Sequence, residues 1–446
     1  MTHLYKEKLA NSKAKGIDKK NSISFNKNFD SELSIIVRKI NLGTYKFSPY
    51  VEKLKLKGRN KEPRLISIPT LRDRVVLLAI KEILHETFPN AVNRKLPNSY
   101  IRDVKKYLEN LSGSEYYIKL DIEKFYDKID REILLQKLKK HNLPASIIQL
   151  IEQALNTPTI PIHAKKETYE SFHKEKGIPQ GLSISNILAQ IYLTEVDQVI
   201  DKRDFFYRRY VDDIIVVNHT KISNFRYKNI EKALNLIGLD LNHHKTEQNY
   251  LNESFTFLGY KITPNKISIA DKNVELFIRR IAGKFTWFRK GIVNETSRPI
   301  WLQNNERFKE VFIEELNETI TGIISSSRNY GWLFYFSEMT DESLLHRIDK
   351  IISRFFHSLE QFDNTRPPSL KKISRAYKVI KFQRNKNYIA NYDNFDTVRR
   401  KREYLTFRGK IDPEANYTDA QIEDYFERFR KRQLEKVEND TGYNYN

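Results

Sequence analysis

Apolar runs with strand character stand out from a polar, basic background in this 446-residue chain. Residues 116–122 form one such run, and it closes on Asp121. A second is Phe205-Phe206-Tyr207-Arg208-Arg209-Tyr210-Val211-Asp212-Asp213-Ile214-Ile215-Val216-Val217. Aromatic strand formers come first, then two carboxylates, then a wholly apolar run suited to a strand buried on both faces. The pattern predicts a hairpin that reverses at the Asp pair. Residues 51–56 alternate like a strand, Gly58-Arg59-Asn60 makes a turn, and Arg64-Leu65-Ile66-Ser67-Ile68-Pro69 is a second strand. Helical spacing appears over 31–40, with a cap at Asp30 or Ser31, and over 72–88, 131–141, 182–193 and 224–237, the last ended by Gly238. Residues 255–262 read as strand, turn, strand. From there to about 362 the spacing is mainly helical, with helices over 273–289, 305–325 and 342–360 and residues 330–336 packed between them. Arg366-Pro367-Pro368 reads as a linker before a charged, aromatic tail.

Composition narrows the partners. The 78 Lys and Arg against 57 Asp and Glu leave a formal charge of +21, which favours a polyanion, nucleic acid first and an acidic membrane surface second. The 25 Tyr and 26 Phe are numerous enough both to fill a core and to stack on unpaired bases. There is no cysteine, which excludes disulfides and Cys-ligated zinc or iron–sulfur sites. The first residues lack an apolar signal-peptide core, and no run reaches the length of a membrane span. The expectation is a soluble, cytoplasmic protein with no membrane partner.

Two adjacent carboxylates beside apolar strands repel each other and are costly to desolvate. Asp212 and Asp213 therefore sit either in a solvated turn or around a cation. Lys53, Lys55, Lys57, Arg59, Lys61 and Arg64 line a basic hairpin that is either a solvated edge or a phosphate clamp. Arg399, Arg400, Lys401 and Arg402, followed by Tyr404 and Phe407, are either a solvated face or an RNA contact.

The order of these blocks resembles a bacterial reverse transcriptase of the group II intron and retron-like lineage. Ala14-Lys15-Gly16-Ile17-Asp18 is similar to its opening block, and Arg64 to Thr70 with Asp73-Arg74-Val75-Val76 to its fingers blocks. Leu120-Asp121-Ile122-Glu123-Lys124-Phe125-Tyr126-Asp127 and Gly177-Ile178-Pro179-Gln180-Gly181-Leu182-Ser183-Ile184-Ser185 resemble the first and second palm blocks. Tyr210-Val211-Asp212-Asp213 matches the catalytic hairpin. Asn242, Lys245 and Thr246 fit the block after it, and Phe257-Leu258-Gly259-Tyr260 the primer grip. The resemblance covers about residues 14–262, and the region around Leu316-Asn317 and Gly331 to Phe336 looks like a helical thumb. Two departures stand out. Ser185 is followed by Asn186 where intron enzymes carry Pro, and a longer fingers block shortens to Asn98-Ser99-Tyr100-Ile101-Arg102. The Gly-Leu-Ser-Ile-Ser variant and the lack of a cysteine-containing nuclease look most like the stand-alone, phage-defence-associated enzymes.

The resemblance implies an α+β right-hand polymerase. It divides into an N-terminal segment and fingers (1–115) and a palm (116–265, with a fingers insertion at about 140–175) whose antiparallel sheet carries the catalytic Asp residues. An α-helical thumb (266–365) and a basic, aromatic C-terminal extension (366–446) follow. It implies an RNA-directed DNA polymerase adding dNTPs to a 3′ end through two Mg²⁺ ions, with Mn²⁺ as a substitute. Two such ions activate the 3′ hydroxyl and neutralise the leaving pyrophosphate, and hard cations take oxygen ligands. By resemblance those ligands are Asp121, Asp212, Asp213 and the Ile122 carbonyl. Lys57 and Arg64 would meet the triphosphate, Gln180 and Gly181 would pack under nucleotide and template, and Tyr126 would exclude a 2′ hydroxyl. Lys245 would protonate the leaving group. Implied partners are an RNA template, including a dedicated non-coding RNA, a DNA primer or product, dNTPs, and a second copy or second defence protein. A non-catalytic RNA-binding maturase, an untemplated or protein-primed DNA polymerase and a mobile-element enzyme are the alternatives.

Overall fold

The computed structural model describes residues 1–9, 12, 14–56, 62–92, 95–109, 111, 115–201, 205–218, 224–382 and 386–439. The chain divides into two compact units, Met1–Leu96 with Ser114–Tyr250, and Pro97–Gly113 with Leu251–Tyr445. The fold is mixed α+β.

Strands of the first unit are β1 (Tyr50–Lys55), β2 (Arg64–Ile68), β3 (Tyr116–Asp121), β4 (Thr159–Ile160), β5 (Phe206–Tyr210), β6 (Asp213–Asn218) and β7 (Glu247–Tyr250). They form a three-stranded sheet ordered β2-β1-β4 and an antiparallel sheet ordered β5-β6-β3-β7. In the second sheet Ile118 faces Val216, Leu120 faces Ile214, and Asp121 faces Asp213. Ile214 to Val217 are at most 1% exposed, so this apolar run is the doubly covered strand that its sequence predicts. The strand therefore has one register that keeps its apolar set inside, and that register sets the two aspartates side by side.

The helix Leu71–Thr87 starts where Thr70 caps the backbone N–H of Asp73. Asp73 is itself buried and accepts hydrogen bonds from Tyr45 Oη (2.8 Å), Thr70 Oγ1 (2.7 Å) and the Ser48 N–H (3.2 Å). Leu188, Ile191 and Tyr192 of the helix Ser185–Asp201 join the core beneath β6. Several boundaries differ from expectation, two of them by their N-terminal starts. The helix expected over 31–40 runs Phe29–Asn41 from Asn28, with no side-chain cap. The one expected over 182–193 starts at Ser185, because Leu182 to Ile184 still belong to the loop, and continues to Asp201.

The second unit carries a meander of β8 (Phe255–Phe257), β9 (Tyr260–Thr263) and β10 (Lys266–Ile269). Long helices follow at Asp271–Val293, Asn305–Thr321, Glu342–Phe356 and Asp419–Asn439, with shorter ones between the last two. Their shared core is aromatic: the Phe288 and Phe312 rings stack at 4.3 Å, and Phe285 meets Phe312 edge-on at 5.1 Å. A good part of the phenylalanine content is thus core.

Two expectations fail in this unit. The helix expected over 305–325 stops at Thr321, because Gly322 (φ 72°) turns the chain into a hairpin of β11 (Ile323–Ser325) and β12 (Arg328–Tyr330). The Arg366-Pro367-Pro368 stretch is not a free linker. Arg366 donates to the carbonyls of Leu370 (3.0 Å) and Lys371 (2.8 Å), while the Asn317 amide bridges Ser369 O and Lys371 N. Asp349 then caps the helix Ile373–Phe382 through the N–H groups of Ile373 and Ser374. Further on, β13 (Ala390–Asn391) pairs in parallel with β11.

The tail is anchored by charge as well. Arg408 is fully buried and donates to Glu318 Oε1 (2.8 Å) and Glu315 Oε1 (2.7 Å), both on the helix Asn305–Thr321. Tyr392 and Tyr404 also donate to Glu318, and Lys284 pairs with Glu315 at 2.9 Å. Burial works to raise the Glu315 carboxyl, but Lys284, Arg408 and Lys436 outweigh it and hold it well below the usual carboxylate range. Among the described residues no helix is long and apolar enough to cross a membrane.

Candidate active site

The aspartates are placed by strands, not by a flexible loop. Asp121 ends β3, Asp213 begins β6, and Asp212 lies in the two-residue turn after Tyr210. The sequence pattern put both aspartates in the reversal; Asp213 instead pairs with Tyr210 on one side and Asp121 on the other. Asp121 is 9% exposed, while Asp212 and Asp213 are half-buried. Burial raises the Asp212 carboxyl and the charge of Asp121 raises it further, against a backbone hydrogen bond, Lys245 and Arg64. Burial and repulsion by Asp212 and Asp121 push Asp213 up to about 6, with Lys119 and Lys245 opposing.

Lys245 Nζ lies 2.8 Å from Asp121 Oδ2 and is the direct cationic partner of that carboxylate. Its place is set by main chain. Asn242 N donates to Asp121 O (2.8 Å), Glu123 N donates to Asp240 O (2.9 Å), and Ile122 bridges to Leu241. A turn on Asn242 O then delivers Lys245 back toward the end of β3.

A second wall comes from the glycine loop. The Ile178 N–H bonds Tyr126 O (2.8 Å), and the Gln180 carbonyl accepts from Ser67 N of β2 (2.7 Å). Gly181 has φ 111°, and a Cβ there would stand 2.7 Å from Ser67 O and 2.8 Å from Ile66 Cγ2. Only glycine fits that crossing. Arg131, which its sequence context does not single out, braces the loop from inside through Gly177 O (2.8 Å) and Lys176 O (3.3 Å). Tyr126 is half-buried; burial and the nearby Asp212 push its hydroxyl up to about 12, with Arg64 opposing. Arg64 is exposed at the start of β2.

The first unit thus brings Asp121, Ile122, Asp212, Asp213, Lys245, Arg64, Tyr126, Gln180 and Gly181 into one neighbourhood. Lys57 lies outside the described residues. The 257–260 segment belongs to the second unit, where Leu258 (φ 48°) and Gly259 (φ 80°) form the turn between β8 and β9. There Tyr335 donates to Leu258 O (3.0 Å) and Asn273 to Gly259 O (3.1 Å). The basic run is engaged side chain by side chain. Arg399 bonds Glu403, Arg400 bonds Asp396, Lys401 bonds Glu423, and Arg402 bonds Ala415 O.

A divalent ion is the group to test against this donor set. Among the described residues no three His, Cys, Asp or Glu side chains already converge as a metal cage. The chemistry of the set nevertheless fits one. It offers carboxylate oxygens held near each other at the ends of two strands and the turn between β5 and β6, and the nearby cations do not cancel the rise at Asp212 and Asp213.

Residues 53–262 match the family model for reverse transcriptase (RNA-dependent DNA polymerase). Protein YkfC of Escherichia coli is 23% identical over 293 residues, covering 55% of this chain and 75% of that protein. The group II intron-encoded protein LtrA of Lactococcus lactis subsp. cremoris is 24% identical over 176 residues, covering 38% of this chain and 28% of LtrA. Among solved structures, apo telomerase from Candida tropicalis aligns at 14% identity over 92% of this chain and 71% of that chain, with a TM-score of 0.42.

Proposed function

We propose, from the match of residues 53–262 to the reverse transcriptase family model, that the chain is an RNA-directed DNA polymerase whose metal-holding residues are Asp121, Asp212 and Asp213. The observation that carries the assignment is the charge deficit. Asp212 and Asp213 lie beside apolar strands with raised proton affinity, and Lys245 pairs with the neighbouring Asp121. Such an arrangement is unfavourable for the bare protein and fits a site that takes cations during its work.

Reverse transcriptase domains require a divalent metal, and two Mg²⁺ ions, or Mn²⁺ in their place, would supply charge neutralisation and activation of the 3′ hydroxyl. Asp121 and Asp212 would hold both, with Asp213 and the Ile122 carbonyl beside them. Arg64, with Lys57 seven residues before it in sequence, would grip the triphosphate; a guanidinium can do so bidentately. The Tyr126 ring, fixed next to Asp212, would lie under the sugar and reject a 2′ hydroxyl. Gln180 and Gly181, tied to β2, would form the floor under base and template. Lys245 is 58% exposed on a flexible stem and could swing from Asp121 to the leaving pyrophosphate as its proton donor. Residues 257–260 would meet the primer. In its narrower form the proposal gives the enzyme a dedicated non-coding RNA template and a role in phage defence, the reading that the Gly181-Leu182-Ser183-Ile184-Ser185 variant favours.

The test is extension of a DNA primer on an RNA template by the purified chain, beside Asp212→Asn. Co-purifying RNA and DNA are sequenced from the native host. Templated synthesis lost in the variant supports the proposal. Equal synthesis by both proteins would remove the assigned site. RNA bound by both with no DNA made by either would turn the protein into a non-catalytic RNA binder.

A further inference from the structure

The turn that carries Asp212 is strained. It joins β5 to β6 through only Val211 and Asp212, and Val211 has φ 56°. Two-residue hairpin turns with a positive φ at the first position call for glycine there. A β-branched residue in that region costs about 1–3 kcal/mol and persists only where its surroundings over-determine it.

Arg209 supplies that constraint. Its side chain is 7% exposed and spans three partners. Nη1 donates to the carbonyl of Val211 (2.7 Å). Nη2 donates to Gln190 Oε1 (2.9 Å), and Nε to Asp197 Oδ1 (2.7 Å), with a second contact from Nη2 to Asp197 Oδ2. Gln190 and Asp197 both lie on the helix Ser185–Asp201, and Tyr207 Oη fixes Asp197 further at 2.6 Å. One rigid guanidinium therefore ties the peptide that leads into Asp212 to a buried helix. Arg209 and Asp197 satisfy each other's charge, so the fork is held in place before it reaches the turn.

We propose that Arg209 is a positioning residue: its guanidinium holds the left-handed Val211 against the helix Ser185–Asp201 and so aims Asp212 at the metal. The inference rests on the role given to Asp212 above. Lysine at 209 keeps the charge beside Asp197 but cannot span Asp197, Gln190 and Val211 O together. Glycine at 211 adopts the turn without strain and so removes the need for the clamp.

The experiment is a double-mutant cycle of Arg209→Lys and Val211→Gly in the full chain. Three quantities are read for every protein: thermal stability, the kcat and KM for dNTP in primer extension, and Mn²⁺ binding without substrate. Asp212→Asn is the control. Arg209→Lys lowers kcat by about 10- to 100-fold and weakens Mn²⁺ binding by about tenfold, while the dNTP KM stays within about twofold. Arg209→Lys with Val211→Gly recovers most of both losses. An Arg209→Lys protein with wild-type kcat and Mn²⁺ affinity overturns the inference, as does a double variant whose losses simply add. If Asp212→Asn itself leaves synthesis and Mn²⁺ binding intact, the assignment of the site fails, and that result is distinct from a failure of Arg209 alone.

Discussion

Two carboxylate clusters of the chain, one in each unit, are treated in opposite ways. In the second unit Glu315 and Glu318 meet Arg408, Lys284 and Lys436, with Tyr392 and Tyr404 filling further acceptor positions on Glu318. Burial is outweighed there and the Glu315 carboxyl stays ionised with ease. In the first unit Lys245 pairs with Asp121, and Lys119, Lys245 and Arg64 only partly offset burial and mutual repulsion, so both Asp212 and Asp213 are harder to ionise than usual. A balanced cluster is what a fold uses to hold itself together. An unbalanced one is a cost that a fold retains for chemistry. The balance of charge, more than the number of acids, is what separates these two clusters.

That comparison breaks most sharply at Asp212. Asp212→Asn should lower DNA synthesis by about a thousandfold or more, and its melting temperature should equal or exceed that of the parent, since one repelling charge is gone. Arg408→Ala should do the reverse in kind. It leaves Glu315 and Glu318 short of a buried partner and costs about 3–5 kcal/mol in urea unfolding. Pairing Arg408→Met with Glu318→Gln should return part of that loss.

The pH dependence carries opposite signs. A carboxyl raised in the folded state binds protons there before it does so in the unfolded chain, so its ionisation destabilises the fold as pH climbs through the raised value. Asp213 sits at about 6 against an ordinary 3.8. In metal-free buffer Asp213→Asn should therefore be more stable than the parent at pH 7, on the order of 1–2 kcal/mol, and the gap should close as pH falls from 6 to 4. Glu315 contributes in the other direction: its stabilisation is present above 4.5 and is lost only as pH falls through its lowered value. Melting curves across pH 4–8 distinguish the two.

Smaller effects sharpen the contrast. Tyr126→Ala should cut the preference for dNTP over NTP by about tenfold with little change in melting temperature; unchanged discrimination in a competition assay would count against the sugar gate. Arg399 and Glu403 pair in the open, with 88% and 60% of their side chains exposed. Arg399→Ala should move the melting temperature by only about 1 °C.

Much of the first unit was legible in its sequence because its strands are apolar and its turns carry glycine. Ile214 to Val217 announce a buried strand, and Tyr116 to Leu120 announce another that stops at a carboxylate. What stayed hidden are elements held by backbone pairing alone. β7 reads Glu-Gln-Asn-Tyr, has no apolar side to report, and exists because β3 offers it a free edge. The hairpin of β11 and β12 turns through Ser326 and Ser327 at φ 50° and 58°, residues with no sequence signature of a left-handed turn; Gly322 before it was the available signal. The charge clusters were hidden for another reason. Arg408 finds Glu318 across 90 residues, and Arg209 finds Asp197 across 12, so neither pairing follows from local spacing. The glycine at 181 was visible, but what it passes beneath, the main chain of β2, was not.

The Arg408 pairing also sets a schedule for synthesis. Glu315 and Glu318 leave the ribosome some 90 residues before the arginine that balances them. At about 5–20 residues per second, the nascent helix, with Lys284 already made, waits roughly 5–20 s for the Arg408 guanidinium. During that interval it cannot bury that face, and the aromatic residues around it stay open to solvent and to other chains. A later stretch of the chain, around Arg408, is the one that lets an earlier stretch finish folding.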